Sequence, residues 1–136
     1  MFQLKSILFP INLDSKNAGT VIRALEIAKA FDCQIHILYV NDPGAGYHYP
    51  ADHEDAVSLK LQEIVPQDLL DSVKILYAVS KGQLGAEVVK YCREHNIDLI
   101  VTGHTHRNRL YSVLFDTPDE NIIDSTNIPV LVIPKN

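Results

Sequence analysis

Short apolar runs alternate along this chain with longer segments in which apolar side chains recur at helical spacing. Five of the runs have the length and the content of branched side chains that are typical of buried strands. They cover residues 6–11, 34–40, 73–79, 97–102 and 129–133. Pro10 lies inside the first run, and a sheet tolerates proline only where it needs no backbone N–H donor.

Helices are predicted between these strands from apolar residues that lie three or four positions apart. The first stripe comprises Val21, Ala24, Leu25, Ala28 and Phe31, and the stripe before the fourth strand comprises Leu84, Val88, Val89 and Cys92. A more polar helix is predicted over residues 54–64, because Pro66 stops it. A last short helix is predicted around Ile122 and Ile123.

Strands that alternate with helices indicate βαβ units and therefore a parallel sheet covered on both faces. The chain length suits one domain, over residues 1–136. The predicted fold is α/β, a five-stranded parallel open sheet of the Rossmann-like kind. Ligands bind such sheets beyond the carboxyl ends of the strands, so we expect any site in the loops after Ile11, Val40 and Thr102.

Composition and charge exclude several classes of partner. Apolar residues make up 46% of the chain and charged residues 21%, as in an ordinary globular domain, and the formal net charge is −5. An acidic balance disfavours nucleic acids and anionic membranes. No segment approaches the ~20 apolar residues of a membrane span, and no secretory signal is visible. We expect a cytoplasmic protein in which Cys33 and Cys92 are reduced, buried thiols.

A distinctive motif follows the fourth predicted strand. Gly103 ends that strand, His106 comes three residues later, nine residues separate His106 from Asp116, and Thr117 is next. With this spacing, the segments 7–12, 96–104 and 127–133 together resemble the universal stress protein family over essentially the whole chain. The resemblance implies the fold of that family, which is related to the adenine nucleotide alpha hydrolases.

The resemblance also implies where a nucleotide pocket would lie. Members that bind ATP carry glycine, two residues, glycine, nine residues, glycine and then serine or threonine, so that backbone N–H groups can approach the phosphates. Here Gly103 keeps the first position and Thr117 the last, whereas His106 and Asp116 replace the other two glycines. The resemblance gives Pro10, Asn12 and Val40 as the remaining positions of the family pocket. Asn12 stands where many ATP-binding members have aspartate.

Asp116 would place a carboxylate where a triphosphate must sit. Two like charges about 4 Å apart repel by about 1 kcal/mol in bulk water and by about 4 kcal/mol at an intermediate dielectric. We therefore expect no ATP bound in the usual family manner and no cofactor. The alternative is an adenine-nucleotide site with a modified phosphate loop and at most slow hydrolysis, in which Arg107 or Arg109 neutralises Asp116.

A local explanation of this segment needs no ligand. Thr117, Pro118 and Glu120 have the spacing of an N-cap, a first helical position and a capping box. Asp116 and Asp119 would then complement the dipole of the short helix that begins there. We prefer this interpretation of Thr117 to a phosphate-binding role.

Other candidate chemistry is weaker. His104 and His106, with His48 and His53, carry groups that bind zinc, but no third ligand has diagnostic spacing, so we expect no metal. No motif typical of a catalytic site is present, and we expect a protein that is not an enzyme.

The last predicted strand suggests an assembly. The run 129–133, from Pro129 at its start to Ile133 at its end, is apolar, and an exposed apolar edge invites pairing. Members of the resembled family commonly dimerise through this strand. The sequence thus predicts a homodimeric stress-response or regulatory protein that acts through partner proteins.

Overall fold

A computed structural model of the chain describes residues 1–11, 18–41, 54–103 and 126–134. The strands are β1 Ser6–Ile11, β2 Gln34–Asn41, β3 Ile75–Lys81, β4 Leu99–Gly103 and β5 Val130–Ile133. The helices are α1 Ala18–Ala30, α2 Glu54–Ile64, α3 Gln67–Ser72 and α4 Leu84–His95. The predicted last helix around Ile122 and Ile123 lies outside the described residues.

All five strands form one parallel sheet in the order β3-β2-β1-β4-β5. The predicted five-stranded open parallel sheet is therefore confirmed. The chain first moves outward from β1 to β3 and then crosses back to β4 and β5. Right-handed crossovers consequently place α1 and α2 on one face of the sheet and α4 on the other.

Two apolar clusters show this division. On one face, side chains such as Leu25 of α1 and Leu61 of α2 pack on Ile7 and Ile35. On the other face, side chains of α4 pack on Leu8, Leu38 and Ile100. Successive residues of each strand alternate between the two clusters, so the central strands are buried on both faces and read in the sequence as continuous apolar runs.

Pro10 lies in the central strand β1, and the pairing explains how the sheet accommodates it. The carbonyl of Lys5 accepts from Gln34 of β2, whereas the carbonyl of Ser6 accepts from Asp98, which leads into β4. Because this alternation continues along β1, the nitrogen of Pro10, which carries no hydrogen, faces β4 and not β2. Pairing between β1 and β4 reaches only Leu8, although pairing with β2 extends to Ile11. The expectation that Pro10 occupies a position without a required donor is confirmed.

The predicted starts of β3, β4 and β5 were wrong by one or two residues, and β2, β3 and β4 end one or two residues later than predicted. One helix was also missed. β3 begins at Ile75 rather than Val73, because Val73 is the C-cap of α3. β4 runs over Leu99–Gly103 rather than 97–102, since the left-handed Asn96 (φ 51°) and the bond from Ile97 N–H to the Cys92 carbonyl still belong to the end of α4. β5 begins at Val130, one residue after Pro129. Helix α3 has only six residues and no fully buried side chain, so it leaves no apolar stripe in the sequence.

Both cysteines behave as predicted, since each is buried and neither is in a disulfide. Burial raises the pKa of the Cys92 thiol to about 12. Burial also raises the pKa of the Cys33 thiol, and the neighbouring Asp32 carboxylate adds to that increase. Neither thiol is therefore a reactive thiolate near neutral pH.

A buried histidine on β2 is the main polar group beneath α4. His36 is 4% exposed, and its Nδ1 lies 2.6 Å from the Tyr91 hydroxyl. The His95 ring stacks on the Tyr91 ring, with 3.8 Å between the ring centroids. It also contacts the His36 ring edge-to-face, with 5.5 Å between the centroids. Burial, and then the nearby His95 and Lys74, hold the pKa of His36 below its ordinary 6.5. The folded protein thus keeps His36 neutral under conditions in which the unfolded chain protonates it.

We expect the free energy of unfolding to decrease as the pH falls through about 6.5, because the unfolded state then takes up a proton that the folded state excludes. The loss continues down to the lowered pKa of His36 and then levels off. Urea unfolding of the His36→Gln variant between pH 7.5 and 5 should show a clearly flatter dependence than the parent protein. His95→Gln should flatten the dependence only slightly, because it removes a smaller, electrostatic cause of the lowered His36 pKa and leaves burial, the largest cause, in place. Equal slopes in parent and His36→Gln would contradict this assignment.

Candidate functional site at the carboxyl ends of the strands

The carboxyl ends of β1 and β4 form the point at which the strand order reverses. From β1 the chain continues to β2 on one side, whereas β4 and β5 lie on the other. β1 and β4 are not paired beyond Leu8. Pro10 and Gly103, two of the predicted site residues, lie at the ends of these two strands. Open parallel sheets bind ligands in a crevice outside such strand ends.

Gly103 is held close to the first turn of α1. A Cβ atom at position 103 would lie 3.1 Å from Thr20 Cγ2 and 3.5 Å from Thr20 Oγ1. Such an approach is tighter than ordinary van der Waals contact, so a larger residue requires the Thr20 side chain or its helix to give by a few tenths of an ångström. The glycine therefore has a packing role in this chain, whatever the crevice binds.

Val40 lies at the end of β2, beside the same edge of the sheet. Its register partner on β3 is Ser80, so both side chains lie on the α4 face. The Ser80 hydroxyl is buried and has no hydrogen-bond partner among the described residues. A buried hydroxyl without a partner is costly, and this one is next to a residue of the predicted pocket.

The turn that follows β3 is fixed against the end of β2. The Gly82 N–H donates to the Asn41 carbonyl over 3.0 Å, and Gly82 has φ 146°, which side chains rarely adopt. The Gln83 side chain then caps α4 by accepting from the Ala86 N–H at 3.3 Å. These bonds fix the beginning of α4 at the carboxyl ends of the strands, next to Val40.

The other predicted site residues, Asn12, His106, Asp116 and Thr117, lie outside the described residues. The same is true of Arg107 and Arg109 and of the four histidines considered for zinc, which are His48, His53, His104 and His106. Within the described ranges, no three His, Cys, Asp or Glu residues are grouped so that they would hold a metal ion. The structure thus brings together Pro10, Val40 and Gly103 at one edge and leaves the phosphate positions untested.

Sequence reasoning missed two residues at this edge, Thr20 and Ser80. Thr20 lies in a helical segment outside the family motif, and only the close approach to Gly103 reveals its role. Ser80 lies near the end of a strand whose predicted boundary was at Val79. A signal existed in the alternation of β3, which places residue 80 on the same face as Ala78.

Comparisons with known proteins agree with this architecture. The family model for universal stress proteins matches residues 3–134. The chain belongs to the universal stress protein family. A universal stress protein of Methanocaldococcus jannaschii, MJ0531, is 27% identical over 96% of this chain and 82% of its own length. The predicted family membership is confirmed, whereas the predicted subgroup without the glycine motif stays a prediction.

Solved structures of universal stress proteins share the fold over nearly the whole chain. UspA from Lactobacillus plantarum is 25% identical, with a TM-score of 0.65 over 98% of this chain and 99% of that one. A universal stress protein crystallised in complex with cAMP is 18% identical, with a TM-score of 0.66 over 98% of both chains. Within the part of the chain that the structure describes, no helix is long and apolar enough to cross a membrane.

We expect Gly103→Ala to lower the free energy of unfolding by about 1–3 kcal/mol, because the added methyl group overpacks the contact with Thr20. Combining it with Thr20→Ser, which removes Cγ2, should restore most of the loss relative to Thr20→Ser alone. Gly19→Ala is the matched control, since a Cβ there meets nothing within 4 Å and alanine favours helix. Urea unfolding of the four variants measures the coupling, and additive effects would contradict the packing role.

Proposed function

We propose that this universal stress protein is a dimeric regulatory protein that does not bind ATP in the manner of the glycine-motif members. The contact between Gly103 and Thr20 carries the proposal. Gly103 is the one motif glycine that the chain retains, and helix packing accounts for it without any phosphate. The other two glycine positions hold His106 and Asp116, so no residue at these three positions requires a triphosphate.

Electrostatics favour the same conclusion. ATP carries several negative charges, and the Asp116 carboxylate would repel each of them at the phosphate position. The formal net charge of −5 provides no compensating attraction at long range. His106 adds bulk where glycine permits backbone N–H groups to approach an anion. We therefore assign the protein no resident cofactor and no catalytic activity.

The test restores the motif. We expect the double variant His106→Gly with Asp116→Gly to bind Mg-ATP at least about tenfold more tightly than the parent, since it removes both repulsion and bulk. Isothermal titration calorimetry measures the affinity directly. Asp119→Gly is the control, because it removes a nearby carboxylate outside the motif. Tight binding of Mg-ATP by the parent protein would overturn the proposal.

A second candidate is an adenine nucleotide with a single phosphate. The observation that favours it is the Ser80 hydroxyl, which is buried beside Val40 and lacks a partner in the described part of the chain. One structural relative was solved with cAMP, and cAMP carries one negative charge, so Asp116 repels it far less than ATP. The same calorimetry with cAMP distinguishes the two functions, because binding of cAMP but not ATP supports this candidate.

Dimerisation through β5 is the second part of the proposal. In the described residues β5 pairs with β4 and forms one edge of the sheet. Its four residues, Val130–Ile133, are all apolar, and Leu131 is 40% exposed. An apolar edge strand that carries no charged residue is prone to pair with another strand. A second copy of the chain is the partner that the family resemblance favours.

We expect the parent protein to be a dimer at micromolar concentration and Leu131→Lys to be a monomer, because a buried lysine at the edge opposes pairing. Leu76→Lys is the matched control, since Leu76 is 37% exposed on β3, the opposite edge strand. Size-exclusion chromatography with light scattering measures the mass. The proposal fails if the parent is monomeric, or if Leu76→Lys dissociates the dimer while Leu131→Lys does not.

The cellular role follows from these two parts. A dimer without resident chemistry acts by presenting surfaces to partner proteins, and its acidic balance disfavours nucleic acid and anionic membranes. We propose a cytoplasmic regulatory protein of the stress response, which fits the buried, unpaired thiols.

A further inference from the structure

A second concave site lies at the amino edge of the sheet, by which we mean the end at which the parallel strands begin. It is opposite the crevice beside Gly103, which lies where the strands end. It is a cleft of about 450 Å³ between the start of β1, the end of α1 and the segment that joins α3 to β3. This volume lies in the range of small-molecule sites, about 300–1,000 Å³. The family motif and the strand ends beside Val40 belong to the other edge, so neither accounts for this cleft.

The charges around the cleft differ in sign from the charge of the whole chain. Lys5, Lys29 and Lys74 line it, and Asp32 is the one acidic residue of the lining, whereas the chain has a formal net charge of −5. None of the three ammonium groups forms an ion pair in the ranges that the structure describes. Lys29 also complements the carbonyl end of α1, but Lys5 and Lys74 lie outside the helices.

The sheet fixes the spacing of two of these lysines. The Lys5 carbonyl accepts from the Gln34 N–H at 3.1 Å, and the Lys74 carbonyl accepts from the Ile35 N–H at 3.0 Å. The backbones of the two residues therefore flank the start of β2 on opposite sides, about 10 Å apart, which is twice the spacing of adjacent strands. Two lysines whose backbones are held apart in this way suit a ligand with two anionic ends better than a single ion.

Neutral polar groups complete the lining. Ser6 is 6% exposed, and its hydroxyl oxygen accepts from the Gln34 amide at 2.8 Å. The hydroxyl proton of Ser6 has no acceptor among the described residues, so it is free to donate to an anionic oxygen. The Asp98 carboxylate nearby already accepts from the Lys5 and Ser6 N–H groups at 2.9 Å and 3.0 Å.

The carbonyl end of α1 opposes an anion less than its position suggests. Three carbonyls near its end accept hydrogen bonds from backbone N–H groups that follow in the chain. The Phe31 N–H donates to the Ile27 carbonyl, the Asp32 N–H to that of Lys29 and the Cys33 N–H to that of Ala28. A carbonyl that already accepts a hydrogen bond has less need of a cation as its partner. The Cys33 thiol in the lining is neutral, because burial raises its pKa, so it adds no negative charge.

We propose that this amino-edge cleft binds a small organic anion with two anionic groups, either a dicarboxylate or a molecule with two phosphate groups. The lysines on either side of β2 contact the two ends, and Lys29 belongs to the same lining. Such a ligand would make the protein a sensor of an anionic metabolite at a site separate from the candidate nucleotide crevice.

Succinate and pyrophosphate are suitable probes, titrated into ¹⁵N-labelled protein at constant ionic strength with chloride as the reference salt. We expect saturable shifts of the Cys33 and Gln34 amide signals with a dissociation constant of about 0.1–1 mM for at least one probe. Saturation by succinate alone identifies a dicarboxylate site, and saturation by pyrophosphate alone identifies a phosphate site.

Charge variants test the assignment to this cleft. Lys29→Met and Lys74→Met should each weaken binding several-fold. Lys60→Met is the matched control, because Lys60 lies on α2 beside Glu63 and not in the cleft. Asp32→Asn should tighten binding about three- to tenfold, since it removes the acidic group. The substitution suits the backbone, because asparagine tolerates the left-handed conformation (φ 51°) at this position.

The proposal is overturned if both probes give only the linear shifts that chloride gives, or if Lys29→Met and Lys60→Met bind equally. The variants His106→Gly and Asp116→Gly should leave the shifts unchanged, so this result is independent of the proposed function at the other edge.

Discussion

The missing N–H of Pro10 is the constraint on which the candidate site depends. A central strand normally needs a donor at every residue, on one side or the other. In β1 the donors alternate between β2 and β4, and position 10 turns towards β4. The ladder with β4 ends at Leu8, while the ladder with β2 continues to Ile11. Ladder hydrogen bonds therefore do not join the last residues of β1 and β4, at the point of the sheet where open parallel sheets have their ligand crevice.

Helix α1 limits what this crevice accommodates. Its first turn brings Thr20 so close to β4 that only glycine fits at position 103 without movement. In members with the complete motif, glycine at this position also permits close approach by phosphate. One residue can therefore satisfy a requirement of folding and a requirement of binding, and retention of Gly103 alone is weak evidence for a nucleotide.

The sequence predicted the sheet well because the central strands are buried on both faces. Continuous apolar runs such as residues 7–11 leave little choice of structure. The boundaries were harder, because the ends of α3 and α4 overlap the predicted starts of β3 and β4. Helix α3 was missed because it buries no side chain completely. Thr20, Ser80 and the amino-edge cleft have roles that depend on residues distant in sequence, which no local pattern records.

The two edges of the sheet differ in what a ligand would have to overcome. At the carboxyl edge, helices α1 and α4 begin, and helix N-termini favour anions. The family motif exploits that preference, yet this chain has aspartate at the third glycine position. At the amino edge, the helices end and their carbonyls disfavour anions, yet three lysines line the cleft. Side-chain charge thus opposes the backbone dipoles at the amino edge, and the position of Asp116 in the family motif predicts the same at the carboxyl edge. The dipole of a helix is equivalent to about half an elementary charge at each end, and solvent screens it where that end is exposed. A charged side chain near such an end carries a full unit charge. The side chains should therefore decide which edge accepts an anion, and in this chain they favour the amino edge.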